Sequence, residues 1–480
     1  MTVMNRCVLG LTLGVAVSAC AGDHTGPRST AEPLAPHREF AAETPSTVTP
    51  STTAKADDAA APQGSFIDWV RAKLPPGGAV DEKNGVVTVT ATAGPKDTVL
   101  TLARAYLDLT DIYLYDDLAA EISKTTAVFP GKKITIPHLL TEPYKEPEQE
   151  RMAWPADNAL RGIYIGGIYA VHPLQQTLER MKARNINAIV LDGKDYTGPI
   201  TYPTKVKVAI DNGAARNPPI ADLARTIRFA HKYGVYVIMR ISCFHDPWTS
   251  VKTPALSIQS KFGKPYPIDW LDPANPDAQQ YILDLMNEQI SMGADEIQLD
   301  YVRFPVQKGL GNAVLPPADG SREKVLTAFV HKAHEITQAH HLPLSLDIFG
   351  VTATGTIVDS HNLGQDIGLL GKECEALSPM VYPSHYDKGF LGFSEPGNHP
   401  EIIAIGTKGA VQRLEKAGDT GAVIRPWLQA FMWRSPEYGP KYLAQETKEA
   451  EKGGGVGWLM WNPGCSYWDA WKAIPPVPKK

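Results

Sequence analysis

Cysteine and the common metal-binding motifs are scarce in this sequence. Five of its 480 residues are cysteine, and only Cys243, Cys374 and Cys465 lie beyond the first twenty residues. Their odd number and the lack of CxxC spacing argue against a disulfide framework or a zinc cage, so we expect three buried apolar thiols. No HxH, HExxH or Cys-Cys-His cluster is present either, and we therefore predict no metal or other cofactor.

A net positive charge and two common functional motifs are also missing. The formal net charge of −5 leaves no basic surface for a nucleic acid, which we therefore exclude as a partner. No GxSxG supplies a serine nucleophile. No GxGxxG follows the first predicted strand of the main domain, and this weakens the case for a dinucleotide-binding fold.

The first apolar run is too short to cross a bilayer. After the single cation Arg6, residues 8–17 form an apolar core of about ten residues, whereas a membrane span needs about twenty. The core ends in VSAC, which closes at Cys20 and resembles the lipobox of bacterial lipoproteins. The resemblance implies a signal peptide over 1–20, lipidation of Cys20, export and a membrane anchor. Ala21, in place of Asp, favours the outer membrane, either on its periplasmic side or at the cell surface. The alternative is an ordinary cleaved signal that happens to contain Cys20.

Two regions precede the main domain. Residues 21–63 are rich in Ala, Thr, Ser and Pro and poor in large apolar residues, so we predict a disordered tether there. Residues 65–140 predict a small α+β module, with a strand at 87–90, a helix that begins at Asp97 or Thr98, a second helix and a final strand.

The small module resembles the LysM domain. The resemblance lies in Asp97, Thr98 and Leu100 at the first helix and in the closing sequence PGKKITIP at 130–137. LysM domains bind polymers that contain N-acetylglucosamine, such as peptidoglycan, so the resemblance implies attachment to the cell wall. The alternative is a small structural domain that does not bind sugar.

After a polar, Pro-containing linker at 141–157, predicted strands alternate with helices. The eight candidate strands are 162–169, 188–194, 235–244, 296–303, 344–349, 376–382, 423–431 and 456–462. Such alternation predicts βα units and a parallel sheet. Eight such units in about three hundred residues predict a (β/α)8 barrel of the TIM type over 158–475.

The stretch GADEIQLDYVRFP, at 293–305, contains the clearest candidate residue. It follows a predicted helix that Asn275 caps, and apolar and polar residues alternate along it up to Asp300. A buried carboxylate must be paired, hydrogen-bonded or used in chemistry, because an isolated buried charge is unstable. Two interpretations stay open: a structural ion pair between Asp300 and Arg303, and a catalytic carboxylate.

The functional residues of such barrels lie at the carboxyl ends of the strands. This rule selects carboxylates and aromatic residues on several strands, as cleavage of a glycosidic bond requires. The predicted set is Asp192, Lys194, Asp195, Arg240, Asp300, Arg303, Asp347, Tyr382, His385, Trp458 and Trp461. Structural alternatives stay open, namely pairing of the two aspartates of the second strand with nearby cations and packing of the tryptophans in the core.

The region from 161 to 468 resembles a family of TIM-barrel domains related to glycoside hydrolases and long catalogued as a domain of unknown function. The matching stretches are RGIYIGG, NAIVLDGKDYTGPITY, GVYVIMRISCFHD, GADEIQLDYVRFP, LSLDIFG, SPMVYPSHY and WLMWNPG. The family is itself similar to retaining α-glycosidase barrels, whose nucleophile is an aspartate at the end of the fourth strand. The resemblance therefore implies a glycosidase with Asp300 as its nucleophile.

We therefore expect a lipid-anchored envelope protein whose barrel cleaves a polysaccharide. Asp300 is the expected nucleophile, or the base of an inverting enzyme, and Asp347 is the preferred general acid, with Asp192 or Asp195 as substitutes for it. Two other hypotheses stay open: a non-catalytic lipoprotein that binds carbohydrate or peptidoglycan, and a structural lipoprotein of the envelope.

The remaining predicted residues surround this pair. Arg240 and Arg303 are expected to keep the nucleophilic carboxylate ionised, because a nearby cation favours the charged form. Lys194, Tyr382 and His385 are expected to bind sugar hydroxyl groups.

Overall fold

A computed structural model describes residues 65–155, 159–418 and 420–477 of the protein. The predicted signal peptide, its lipidation site Cys20 and the predicted tether at 21–63 lie outside the described residues, and they stay predictions. Within the described part of the chain, no helix combines the length and the apolar character needed to cross a membrane.

The described residues fall into two compact units. The smaller unit comprises residues 65–111 and 118–143, and the larger comprises residues 112–117 and 144–477. The elements before residue 140 are, in chain order, α1 (Phe66–Lys73), β1 (Gly78–Lys83), β2 (Val86–Thr92), α2 (Val99–Tyr106), α3 (Tyr115–Thr125) and β3 (Lys133–Thr135). The three strands form an antiparallel sheet in the order β1-β2-β3.

The smaller unit contains two elements that the sequence pattern did not predict. Helix α1 and strand β1 precede the predicted strand, and β1 is joined to β2 by a turn at Asn84 and Gly85, both with positive φ. The prediction that a helix begins at Asp97 or Thr98 is confirmed by α2, which follows Thr98. The Thr98 hydroxyl oxygen accepts a hydrogen bond from the Thr101 amide at 3.2 Å, which caps α2.

The larger unit is a ring of parallel strands surrounded by helices. Its strands are β4 (Arg161–Ile165), β5 (Ala188–Lys194), β6 (Tyr236–Ser242), β7 (Glu296–Asp300), β8 (Leu344–Phe349), β9 (Ala376–Met380), β10 (Val423–Ile424), β11 (Trp427–Gln429) and β12 (Trp458–Trp461). Its helices after residue 143 are α4 (Leu174–Lys182), α5 (Lys207–Asp211), α6 (Leu223–Lys232), α7 (Pro247–Lys252), α8 (Pro276–Ser291), α9 (Ser321–Ala339), α10 (Val351–Thr354), α11 (Ile357–Leu363), α12 (Ile367–Leu370), α13 (Glu401–Ala417), α14 (Pro440–Lys452) and α15 (Trp468–Ala473).

The ring is closed and has eight strands. Strand β12 pairs with β4, β8 pairs with β9, and all pairings in the ring are parallel. Strands β10 and β11 both pair with β9 and together form one strand. It is interrupted beside Pro426, which has no N–H group to donate to a neighbouring strand. The predicted (β/α)8 barrel is therefore confirmed.

The helix α8 and the strand β7 show how the sequence builds the barrel. The Asn275 side chain accepts hydrogen bonds from the first amides of α8, and Gly293, with φ of 96°, follows the helix. The apolar face of α8 packs with Ile297 and Leu299 of β7 in the large core between strands and helices. The alternation of a strand then turns Asp300 toward the inside of the ring, where it meets side chains of neighbouring strands.

Part of the predicted linker at 141–157 is held against the amino end of the barrel. The Met152 amide donates to Asp295 at 2.7 Å, and the Trp154 indole N–H donates to Glu296 at 2.9 Å. This segment therefore covers the end of the ring opposite to the predicted site.

The predicted burial of the three thiols is confirmed for two of them. Cys243 and Cys374 are buried, whereas Cys465 is only half-buried. Its Sγ accepts a hydrogen bond from the Gly166 amide at 3.2 Å, so the expectation of a buried apolar thiol is wrong for Cys465.

Candidate active site

Carboxylates from three strands meet at Arg240. Its Nη1 donates to Asp192 at 2.6 Å, and its Nη2 and Nε donate to Oδ2 of Asp300 at 2.5 and 3.2 Å. Oδ2 of Asp347 lies 3.7 Å from the same Nε. These four side chains come from β5, β6, β7 and β8, and each is less than a tenth exposed. The structure thus brings distant acidic residues together at the carboxyl ends of the strands.

Asp300 is paired with the neighbouring strand and not with its own loop. Besides the two bonds from Arg240, its Oδ1 accepts a hydrogen bond from the Tyr301 amide at 2.5 Å. Arg303 donates instead to the carbonyl oxygen of Phe304 at 3.2 Å. The proposed structural pair between Asp300 and Arg303 is therefore not formed.

Asp347 is buried beside this anion, and only one of its two oxygens accepts a hydrogen bond within the described residues. Its Oδ1 accepts a hydrogen bond from the Trp427 indole N–H at 2.6 Å, while its buried Oδ2 has no hydrogen-bond partner among the described residues. Burial and the charge of Asp300 raise the pKa of Asp347 well above its usual value, although Arg240 opposes the shift. Asp347 therefore keeps its proton to a higher pH than an ordinary aspartate.

Asp192 is the most enclosed of the three carboxylates. It accepts a hydrogen bond from the Tyr164 hydroxyl in addition to the bond from Arg240. Burial raises the pKa of Asp192 to about 6, although the charge of Arg240 acts in the opposite direction. The structure therefore contains one of the structural alternatives that the sequence left open, the pairing of Asp192 with a nearby cation, Arg240.

Lys194 and Asp195 lie close in sequence to this group but have other partners. The Lys194 ammonium is fully buried, donates to the Ser242 carbonyl oxygen at 2.6 Å and lies 3.0 Å from Asp246. The half-buried Asp195 accepts a hydrogen bond from the Thr197 amide at 2.7 Å and so stabilises its own turn. Lys194 supports the site from within the fold, and its predicted contact with sugar hydroxyls stays a prediction.

Two groups of aromatic rings stand at the carboxyl ends of the strands. The first aromatic wall, which follows β6 and β7, consists of His245, Trp270 and Tyr301. The second aromatic wall, which follows β9, β11 and β12, consists of Tyr382, His385, Phe431 and Trp461. The strand order places these walls across the ring from each other, and aromatic faces are suited to stacking on sugar rings.

Four of the predicted binding residues belong to β9, β12 or the segments that follow them, and one of the four does not lie at the carboxyl end of the barrel. Tyr382, His385 and Trp461 belong to the second aromatic wall, with 5.6 Å between the ring centroids of Tyr382 and Trp461. Trp458, by contrast, begins β12, pairs in register with Arg161 at the start of β4 and is buried in the core between strands and helices. The prediction that Trp458 lines the site is therefore wrong.

Sequence reasoning missed two side chains that donate hydrogen bonds to the carboxylates. Tyr164 near the end of β4 and Trp427 of β11 each donate a hydrogen bond to a buried aspartate. Both lie on inward-facing positions of predicted strands, and this alternation is the signal that could have selected them. Within the ranges that the structure describes, no group of three His, Cys, Asp or Glu residues is arranged to hold a metal ion.

Fold and site together define a TIM barrel whose carboxyl end holds converging carboxylates between aromatic walls, the elements on which two-carboxylate glycoside hydrolysis depends. Residues 162–467 match the family described as "Putative glycosyl hydrolase domain". The chain belongs to this family of glycosyl hydrolase domains.

The barrel is also similar to several solved structures. The glycoside hydrolase domain of PgaB (BpsB) from Bordetella bronchiseptica is 15% identical, with a TM-score of 0.49, over 67% of this chain and 100% of that chain. The beta-galactosidase from the psychrophilic Marinomonas ef1 is 12% identical, with a TM-score of 0.48, over 66% of this chain and 58% of that chain. A hypothetical protein from Ruminiclostridium thermocellum is 28% identical, with a TM-score of 0.35, over 38% of this chain and 96% of that chain. No curated protein matches the chain. Family membership follows from the match over 162–467 alone.

Proposed function

We propose that the barrel is a glycosidase that cleaves a polysaccharide of the cell envelope or the surrounding medium, with Asp300 and Asp347 as its catalytic pair. The observation that carries this proposal is the sharing of Arg240 by three buried carboxylates. One cation cannot offset three adjacent negative charges, so at least one carboxyl group is favoured in its neutral form. A neutral acid beside an anion is the arrangement that glycoside hydrolysis uses.

The two carboxyl groups have different roles. Asp300 takes two hydrogen bonds from Arg240 and one from a backbone amide, which stabilise an anion that attacks the anomeric carbon or activates a water molecule. Asp347 binds the Trp427 N–H through Oδ1, which leaves Oδ2 to carry the proton. As the glycosidic bond breaks, Asp347 transfers this proton to the leaving oxygen.

The experiment that tests this proposal is release of reducing sugar from a broad glycan panel by the purified protein. The wild-type protein should cleave at least one glycan, and Asp300→Asn should cleave it at least about a thousandfold more slowly. Equal rates for the two proteins would remove the assignment of Asp300. The separation of the two carboxyl groups, about 5 Å for retention and roughly 6.5 to 9.5 Å for inversion, indicates the stereochemical course.

The proposal also places the enzyme at the cell envelope. The lipobox-like sequence ending at Cys20 supports a lipid anchor, and the LysM-like sequence supports binding of peptidoglycan. A shallow groove of about 350 Å³ is available for a sugar chain in the smaller unit, and it is lined by Asp97, Thr98, Val99, Ser123, Thr126, Ala127 and Val128. Replacement of Cys20 by Ala should release the protein from the membrane fraction. The full chain should sediment with insoluble peptidoglycan, and a variant that fills this groove, Ala127→Trp, should not.

One observation favours the second candidate function, a non-catalytic carbohydrate-binding lipoprotein. Asp192, Asp300 and Asp347 are each at most 3% exposed, so the carboxylates are nearly closed to solvent. This function predicts binding of a glycan without product and with no loss of affinity in Asp300→Asn. The third candidate, a structural envelope lipoprotein, predicts neither binding nor cleavage.

A further inference from the structure

Arg303 is a cation at the active-site end that has no carboxylate partner. The three acidic side chains of the site pair with Arg240, and no ion pair among the described residues includes Arg303. Its one hydrogen bond within the described chain runs from Nη1 to the backbone oxygen of Phe304. The guanidinium therefore has N–H groups available to a ligand.

Aromatic rings hold this guanidinium in place. Its central carbon lies 4.7 Å from the ring centroid of Trp270, 4.8 Å from that of Phe349 and 5.5 Å from that of Tyr301. The rings also exclude water, and burial lowers the pKa of Arg303. A fixed, partly desolvated guanidinium binds an anion more strongly than a mobile surface arginine does, because less conformational freedom is lost and the charge is less screened.

We propose that Arg303 binds the carboxylate of an acidic sugar, a hexuronic acid, on the first aromatic wall. The planar fork of an arginine matches the two oxygens of a carboxylate, so the contact selects an acidic sugar over its neutral counterpart. The inference rests on the proposed glycosidase function, because it places the acidic sugar next to the residue that follows Asp300. The second aromatic wall accepts the neighbouring part of the polymer by stacking.

The binding experiment uses the full chain and pairs of polymers that differ only in charge. Polygalacturonate, alginate and a glucuronic acid polymer are each compared with the same polymer after chemical reduction of its carboxyl groups. The wild-type protein should bind at least one acidic polymer about tenfold more tightly than its reduced form, as expected of a charged hydrogen-bonded pair. Equal affinity for the two forms in every pair would overturn the proposal.

Three variants assign that preference to the residue. Arg303→Gln should lose about tenfold in affinity for the acidic polymer and little for the reduced form, while Arg303→Lys should retain part of the preference because it keeps the charge. Arg184 is the matched control, since its guanidinium also stacks on a tryptophan, 5.6 Å from Trp471, but it precedes β5 at the amino end of the barrel. Arg184→Gln should leave the preference unchanged. A preference that survives in Arg303→Gln would overturn the proposal, as would equal loss of affinity for both forms of the polymer.

Two further measurements separate this proposal from the proposed function. Binding is measured in Asp300→Asn as well as in the wild-type protein, so that a preference for the acidic polymer without cleavage supports the Arg303 site and contradicts the glycosidase. Cleavage of neutral polymers but of no acidic polymer supports the glycosidase and overturns the Arg303 site.

Two controls complete the experiment. Equal binding of a sulfated neutral polymer would overturn the selection of a carboxylate. Melting temperatures of the Arg303 variants, which should stay within a few degrees of the wild type, show that they are folded.

Discussion

The two ends of the barrel contain the same kinds of charged groups in different proportions. At the amino end, Glu296 faces Arg425, whose Nη2 donates to Oε1 and whose Nη1 donates to Oε2 at 3.3 Å. Trp154 and Ser345 donate to the same carboxylate at 2.9 and 2.5 Å. One anion there meets one cation and two further donors, whereas at the carboxyl end three carboxylates share Arg240.

One strand supplies an acid to both ends. Glu296 is the first residue of β7 and Asp300 is the last, and both face the inside of the ring because side chains alternate along a strand. The balanced pair at the amino end is an arrangement that stabilises a fold, provided both partners stay in place. At the carboxyl end, burial raises the pKa values of Asp192 and Asp347, and the neighbouring charge of Asp300 raises that of Asp347 further. Raised pKa values of this kind are typical of functional sites.

The largest expected difference between the two ends concerns activity. Asp300→Asn should slow glycan cleavage at least about a thousandfold, equivalent to about 4 kcal/mol in the activation barrier, because the attacking anion is lost. Rates of sugar release measure the effect, and thermal unfolding shows that the variant is folded. Glu296→Gln is the matched control from the same strand, and its folded fraction should keep nearly full activity.

The next effect concerns the stability of the amino end. Arg425→Met should lower the free energy of unfolding by about 3 kcal/mol or more, because it leaves the buried Glu296 carboxylate without its cation. Denaturant titration measures this loss. Cleavage per folded molecule should be unchanged at low temperature. A loss of activity without a loss of stability would contradict the division of roles between the ends.

The surplus of carboxylates predicts a pH dependence of stability. Because the pKa of Asp347 is raised in the folded protein, folded Asp347 keeps a proton that the unfolded chain releases above about pH 4. The contribution of Asp347 to the free energy of unfolding therefore decreases as the pH rises above about 4. Asp347→Asn does not titrate, so its stability relative to the wild type should increase by up to about 1.4 kcal/mol per pH unit in this range. A stability difference that is constant from pH 4 to pH 7 would show that Asp347 is an ordinary carboxylate.

The smallest expected effect concerns Trp427, whose indole orients Asp347. Trp427→Phe removes the hydrogen bond to Oδ1 and should reduce the rate of cleavage about tenfold, in keeping with one lost hydrogen bond to a charged or reacting group. The bond also lowers the pKa of Asp347, so its loss should move the decline of activity at high pH to a higher pH. A lower rate with an unmoved pH profile would indicate a packing effect only.

Much of this contrast could be predicted from the sequence. The predicted strands at 188–194 and 344–349 coincide with β5 and β8. Asp300 and Asp347 were selected because they face away from the apolar side of their strands and because parallel strands of a barrel end together. Both are local patterns, so a single sequence contains them.

The contacts between strands could not be predicted in the same way. The sequence placed both Arg240 and Arg303 near Asp300, and the register of β6 against β7 decides that Arg240 alone forms the pair. A register shift between Asp192 and Lys194 accompanies the burial of the lysine, and no sequence pattern indicates such a shift. These partners are set by the assembled sheet.

Two other predictions could have been improved from the sequence itself: the placement of Trp458 in the site and the number of strands in the smaller unit. Trp458 and Met460 face the helices while Leu459 and Trp461 belong to the inner core, so the alternation of WLMW excluded Trp458 from the site. In the smaller unit, the Asn84-Gly85 pair between alternating residues is a strong hairpin signal and indicated the missing strand β1.

The most direct test of the account is the position of a bound glycan. A crystal structure of Asp300→Asn with the oligosaccharide that the wild-type protein cleaves should show the anomeric carbon within about 3.5 Å of the side chain at position 300 if the enzyme retains configuration, or one bridging water molecule away if it inverts. The glycosidic oxygen should lie within about 3.2 Å of the Asp347 carboxyl group. A glycan bound elsewhere, or bound with its glycosidic oxygen out of reach of every carboxyl group around Arg240, would contradict the account.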